Sequence, residues 1–199
     1  MTAYRTIPLS DGQVLEIHLD ESPESPREWD NLGTMVCFHS RYDLGDKTDY
    51  KMGDFAGWEN LKDQIVKDNK PAVIMPLYLL DHSGIAISCD SDMFRMCDPD
   101  GWDWGCVGFV FVSKDKVREN FNIKRLSPKW VKRAWNILLS EVGTYNQFLA
   151  GDIFGFVLKD KDGKMTDNCW GFYGGDPLDN GMSDHLPHEV VEEIKAVLV

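Results

Sequence analysis

Pro71-Ala-Val-Ile-Met-Pro-Leu-Tyr-Leu-Leu80 is the stretch that decides the fold. It carries no charge, and it is rich in the branched and aromatic side chains that favour a buried β-strand over a helix. Asp81-His-Ser-Gly84 follows and predicts a turn, because Gly84 tolerates positive φ and Asp81 can bond the backbone ahead of it. Ile85–Ser88 and the apolar run 107–112 repeat the strand composition. The centre of the chain is therefore predicted to be a β-sheet.

The longest helix is predicted after this sheet, from Ser127 to Leu149. Pro128 occupies its first helical position, where the missing N–H costs nothing, and Gly151 ends it. Apolar residues at helical spacing predict its buried stripe: Val131, Trp135, Leu138, Val142, Tyr145 and Leu149.

Shorter elements surround this core. Helices are predicted at residues 55–68, 114–121 and 187–197, and further strands at residues 13–19, 34–39, 152–159 and 168–174. Strand hairpins and helices are segregated along the chain, which is typical of α+β proteins. We therefore predict a single α+β domain, residues 1–199, with a mostly antiparallel sheet and a long amphipathic helix packed on it.

Composition restricts the class of protein. A net charge of -12 disfavours direct DNA binding and binding to anionic membranes. The longest apolar run is far below membrane-spanning length. The five cysteines form no CxxC pair, and we expect no signal peptide, so the predicted location is a reducing cytoplasm.

The acidic charge is concentrated in loops. Residues 81–112 hold six acids and one base, whereas residues 113–135 hold two acids and eight bases. Asp98-Pro-Asp-Gly-Trp-Asp103 resembles half of a calcium loop, but the twelfth position is Phe109, so that motif fails. We predict instead an acidic and aromatic surface for a protein partner. Its predicted residues are Asp43, Asp46, Asp98, Asp100, Trp102, Asp103, Trp104, Asp176 and Asp179.

Histidines near predicted strand ends leave one catalytic alternative open. His39, Asp81 and His82 could form a two-His, one-carboxylate metal site. A histidine bonded to a local carboxylate for structural reasons is the competing interpretation. Asp81-His82-Ser83 cannot act as a relay, since adjacent residues on an extended strand point to opposite faces. No nucleotide-binding or zinc-ribbon spacing is present, so no cofactor is predicted.

Five stretches together resemble an uncharacterised family of small acidic proteins from bacteriophages and integrative mobile elements. They are Arg27–Asp46, Pro76–Gly84, Val107–Lys114, Glu141–Asp152 and Cys169–Gly174. The resemblance implies the cytoplasm of a bacterial host, but it implies no catalytic residues.

The resemblance and the charge favour a protein that binds and inhibits a host nucleic-acid-handling defence complex, of anti-CRISPR or anti-restriction type. Its expected partner is a host protein or ribonucleoprotein with a basic nucleic-acid-binding surface. Two alternatives stay open at this point. One is a metal-dependent enzyme acting on nucleic acid or a nucleotide, and the other is an accessory protein of the mobile element.

Overall fold

The computed structural model describes residues 2–198, which form helices together with antiparallel strands. The strands are β1 (Arg5–Pro8), β2 (Val14–Leu19), β3 (Thr34–Cys37), β4 (Pro71–Asp81), β5 (Ile85–Ser88), β6 (Trp104–Ser113), β7 (Ile153–Lys159) and β8 (Met165–Tyr173). The α-helices are α1 (Trp58–Asn69), α2 (Asp92–Cys97), α3 (Lys114–Asn120), α4 (Pro128–Ala150) and α5 (His188–Leu198). The predicted α+β class is confirmed. None of the described helices is long and apolar enough to span a bilayer.

The strands form two four-stranded sheets rather than the one sheet that the sequence predicts. Their orders are β1-β2-β7-β8 and β3-β6-β4-β5. The backbone contacts divide the chain into two compact units, one made of residues 2–24 and 147–198 and the other of residues 25–146. Each unit contains one of the sheets. That the whole chain behaves as one cooperative domain stays a prediction.

In the unit of residues 25–146, β6 and β4 form the centre of the sheet, as their uncharged sequences predict. Burial alternates along β4 because successive side chains point to opposite faces. Helix α1 covers one face, where Leu61 and Ile65 pack with Phe109 and Phe111 of β6. Gly108 permits a close approach to β3, since a Cβ atom there would lie 1.9 Å from the carbonyl oxygen of Val36.

Helix α4 begins and ends within one residue of its predicted bounds, but its buried stripe is rotated from the predicted one. The fully buried positions are Ala134, Leu138, Val142 and Tyr145. The prediction that Trp135 is buried is wrong: 44% of its surface is exposed. Its replacement by Asp would therefore not bury an unpaired charge, and the predicted loss of several kcal/mol does not follow.

The other unit is held together by the sheet of β1, β2, β7 and β8 and by helix α5. The predicted β7–β8 hairpin is confirmed as an antiparallel pair. Val190, Val191 and Ile194 of α5 join the buried core of this sheet, which includes Ile17 and Phe156. Strand β1 was not predicted from the sequence.

Candidate functional site

The acidic loop surface is the name we give to residues 90–103, which connect β5 to β6. The short helix α2 lies inside it. Its start is ordered by the side chain of Asp90, which accepts a hydrogen bond of 2.9 Å from the backbone N–H of Asp92. Phe94 is buried and anchors the helix to the protein. The segment is thus a folded feature with a fixed apolar anchor.

A turn centred on Asp98 fixes the second half of this surface. The Asp98 carboxylate accepts a bond of 2.8 Å from the backbone N–H of Asp103. The indole N–H of Trp104 donates to the Asp98 carbonyl oxygen at 2.9 Å. Gly101 adopts a φ of 72°, a left-handed conformation that glycine accepts without strain. Asp98 and Trp104 therefore hold the loop in shape, and Trp102 lies between them in the sequence.

Large apolar side chains project from this surface into solvent. Trp102 is 86% exposed and Met96 is 84% exposed, and Met93 on the same helix is also exposed. Exposed aromatic and methionine side chains that share one short segment are typical of binding surfaces, because tryptophan in particular dominates the energy of many protein interfaces.

The polar part of this surface is almost entirely anionic. Among residues 90–103 the only base is Arg95, whose guanidinium lies 3.7 Å from the Asp92 carboxylate and also stacks near the Trp104 ring. Within the part of the chain that is described, the Asp100 carboxylate has no paired donor and lies on an exposed residue. The surface therefore combines apolar anchors with a net negative charge and with one carboxylate, that of Asp100, that is open to a cationic partner.

A groove of about 290 Å³ adjoins the acidic loop surface and is lined by His39, Arg41, Asp81, Trp102 and Asp103 among others. His39 and Asp81, which the sequence predicts at the ends of two different strands, thus line the same groove. Asp81, however, is ion-paired with Arg41 and accepts a hydrogen bond of 3.2 Å from the Tyr42 hydroxyl.

The two histidines of the metal alternative are engaged with different partners. His82 Nδ1 lies 2.8 Å from a carboxylate oxygen of Asp103, and His39 stacks on the Tyr42 ring with centroids 4.9 Å apart. Among residues 2–198, no three His, Cys, Asp or Glu side chains are grouped so that they could hold a metal ion. His39, Asp81 and His82 are therefore not assembled as a ligand set.

The cysteines are all free thiols. Burial raises the pKa of Cys37 to about 12 and that of Cys89 to about 11. Burial also raises the pKa of Cys106, which lies at the groove. Because the thiolate is the nucleophilic form, these three side chains are poor nucleophiles at neutral pH.

Of the remaining residues predicted for the binding surface, some are exposed and one is engaged in hydrogen bonds within the fold. Asp43 is exposed and lines a larger cleft of about 670 Å³. Asp46 lies at the same cleft, but its carboxylate accepts bonds of 2.8 and 2.7 Å from Arg27 and one of 2.8 Å from the Met35 N–H. Asp176 and Asp179 are exposed and belong to the unit of residues 2–24 and 147–198.

Met93 and Met96 were missed by sequence reasoning, which treats residues 90–103 as a loop. The available signal is Asp90-Ser-Asp92 ahead of Phe94, since Ser and Asp are typical of helix starts.

Comparison of this chain with models of protein families, with curated proteins and with solved structures gave no match.

Proposed function

We propose that this protein binds and inhibits a host nucleic-acid-handling defence complex by presenting the acidic loop surface to a basic nucleic-acid-binding surface. One observation supports the proposal above all: Trp102 and Met96 are each more than four-fifths exposed within a segment of five aspartates and one base. A surface of this kind provides both apolar anchors and negative charge.

The chemistry of the partner follows from these groups. A surface that binds phosphates uses Lys and Arg, and the same side chains form charge-assisted hydrogen bonds with carboxylates. Asp100 is free to accept such bonds, whereas Asp98 is occupied within its own turn. Trp102 would supply buried apolar area at the centre of the contact. The partner is thus a host protein or ribonucleoprotein whose exposed cations normally hold nucleic acid.

Two further features support the proposal. The net charge of -12 opposes direct binding to nucleic acid, so a nucleic-acid-handling protein is a better partner than the nucleic acid itself. The resemblance to bacteriophage and mobile-element proteins provides a setting in which inhibiting a defence complex benefits the element. The bacterial cytoplasm is the compartment in which that contact takes place.

The test is protection of incoming DNA in a bacterial host with an active CRISPR or restriction system. Expression of the parent protein should raise the efficiency of plaque formation or plasmid transfer. The variant Trp102→Ala combined with Asp100→Asn should lower that efficiency towards the level of cells without the protein. Asp98 is left unchanged because its loss would disturb the turn.

Trp29→Ala combined with Asp162→Asn is the matched control, since it removes one exposed tryptophan and one exposed aspartate outside the acidic loop surface. It should protect DNA as well as the parent. Equal protection by the parent and by the Trp102 and Asp100 variant would refute the assignment to this surface. Absence of protection against every defence system of the natural host would refute the function.

A further inference from the structure

Helix α4 presents a second apolar surface, which we call the α4 strip, made of Val131, Trp135 and Leu139. The three residues are four apart, so they lie along one side of the helix. Trp135 is 44% exposed and Leu139 is 41% exposed. The strip borders the buried face of α4 but no described element covers these two side chains fully. It is an amphipathic helix side that is open to solvent.

A groove of about 680 Å³ runs along the first turns of the strip. Its apolar lining is formed by Leu126, Pro128, Val131 and Trp135, and among the described residues that line it Lys132 alone is charged. The lining residues on α4 run from Pro128 to Asn136, over which the helix rises about 12 Å, or roughly two turns of a second helix. The groove therefore has the length and the apolar floor that helix-in-groove recognition uses.

Bases are concentrated in the sequence next to the residues that line the groove. The five exposed bases of this region are Lys124, Arg125, Lys129, Lys132 and Arg133. Among the described residues none of them forms an ion pair, although the whole chain holds 33 acids and only 21 bases. In a protein with surplus carboxylates, a cluster of unpaired cations leaves positive charge available for an external anion.

Helix α4 itself offers these cations no carboxylate. Its only acid is Glu141, which accepts hydrogen bonds of 2.7 and 2.9 Å from the backbone N–H groups of Leu32 and Gly33. Lys129 and Arg133 lie instead near the faces of aromatic rings, Lys129 5.5 Å from the centroid of Trp130 and Arg133 5.5 Å from that of Phe121. The charge of this region is therefore not neutralised within its own helix.

We propose that the α4 strip and its groove form a docking site for an acidic amphipathic helix of a partner protein. The apolar side of that helix would cover Val131 and Trp135, and its acidic flank would face Lys132 and the neighbouring bases. Nucleic acid fits this groove less well, because its floor is mainly aliphatic and only one lining residue is charged. The inference does not depend on the proposed function, which concerns residues 90–103.

The test is fluorescence anisotropy with a labelled twelve-residue peptide, in which Leu repeats at helical spacing and Glu occupies most other positions. The parent should bind this peptide saturably. Trp135→Ala should weaken binding by roughly tenfold or more, as expected for an aromatic anchor. Lys124→Glu combined with Lys132→Glu should also weaken it, whereas Trp102→Ala should leave it unchanged. A peptide with Lys in place of Glu should not bind.

Three results would overturn the proposal. Unchanged affinity in both the Trp135 and the lysine variants, with unchanged melting temperatures, would exclude the groove. Displacement of the peptide by a short single-stranded DNA would assign the cations to nucleic acid instead. Sedimentation showing a dimer of the parent that Trp135→Ala returns to monomer would show that a second copy of this chain occupies the strip.

Discussion

Replacing Asp46 with Asn tests whether this acid stabilises the fold, in contrast to exposed acids such as Asp43 that make no such contacts with the described residues. The carboxylate accepts two hydrogen bonds from Arg27, whose side chain is only 5% exposed, and one from the Met35 N–H. Breaking a buried ion pair by removing one partner costs about 3–5 kcal/mol. Asp46 is itself 21% exposed, and Glu141 lies 3.9 Å from the same guanidinium and compensates in part. We therefore expect a loss at the lower end, about 3 kcal/mol.

Thermal unfolding followed by circular dichroism measures this effect. For a chain of this length, 1 kcal/mol shifts the melting temperature by about 2–4 °C, so Asp46→Asn should lower it by roughly 6–12 °C. Asp43→Asn is the matched control: it changes the same chemical group three residues earlier, at an exposed position, and should leave the melting temperature unchanged. A melting temperature of Asp46→Asn within about 1 °C of the parent would refute the structural role of this pair.

Three further predictions concern packing, pH and thiols. Gly108→Ala should lower the free energy of unfolding by more than about 3 kcal/mol or abolish folding, because its Cβ would clash with the Val36 carbonyl. Gly143→Ala in α4 is the control: its Cβ meets no atom within 4 Å, and it should raise the free energy of unfolding by about 0.5–1 kcal/mol. Similar melting temperatures for the two variants would contradict this. The hydrogen bond from Lys159 lowers the pKa of Glu16 below its ordinary 4.5, so the contribution of Glu16 is present above pH 4.5 and is lost as pH falls through the lowered pKa. Glu16→Gln should accordingly lower stability by about 0.5–1 kcal/mol at pH 7 and by less in acid, and a difference that does not change with pH would argue against the pair. Iodoacetamide should alkylate exposed Cys97 before the other thiols and buried Cys37 only on unfolding; early labelling of Cys37 in mass spectra would contradict its burial.

The elements that sequence predicted well are those with long or uniform patterns. Strand β4 is uncharged until Asp81, and α4 has Pro at its first position and Gly directly after its last. Helix α2 was not predicted because it has six residues and only Phe94 is buried, which is too short for a periodic signal. Strand β1 has four residues, of which only Ile7 is buried.

The predicted binding residues differ in how the fold engages them, and their contact with a partner stays a prediction. Asp46 and Asp98 look like Asp43 and Asp100 in sequence, yet the first two accept backbone and side-chain hydrogen bonds that only the fold assembles. Arg27 is nineteen residues from Asp46, so no local pattern indicates the pair. The error on Trp135 has a similar origin: one position along a helix is a rotation of about 100°, so an apolar residue beside the stripe faces solvent.

Some acids of the acidic loop surface are engaged within the protein, whereas Asp100 is not engaged by any described residue. Asp98 shapes the turn, and Asp103 lies beside His82 at the groove. Asp100 is available to a partner next to Trp102. Replacing Asp98 or Asp103 would also change the conformation of the loop, so a loss of function would not identify a contact with the partner. The functional tests therefore use Asp100 and Trp102.

A photo-crosslinking amino acid in place of Trp102, incorporated in the bacterial host, captures whatever protein contacts the acidic loop surface. We expect illumination to link this position to a host protein within a Lys- and Arg-rich nucleic-acid-binding surface, and added nucleic acid to abolish the link. The same amino acid in place of Trp170, in the other unit, should not form that link. A crosslink at position 102 that maps to an acidic or neutral surface, or that nucleic acid leaves unchanged, would contradict binding to a nucleic-acid-binding surface.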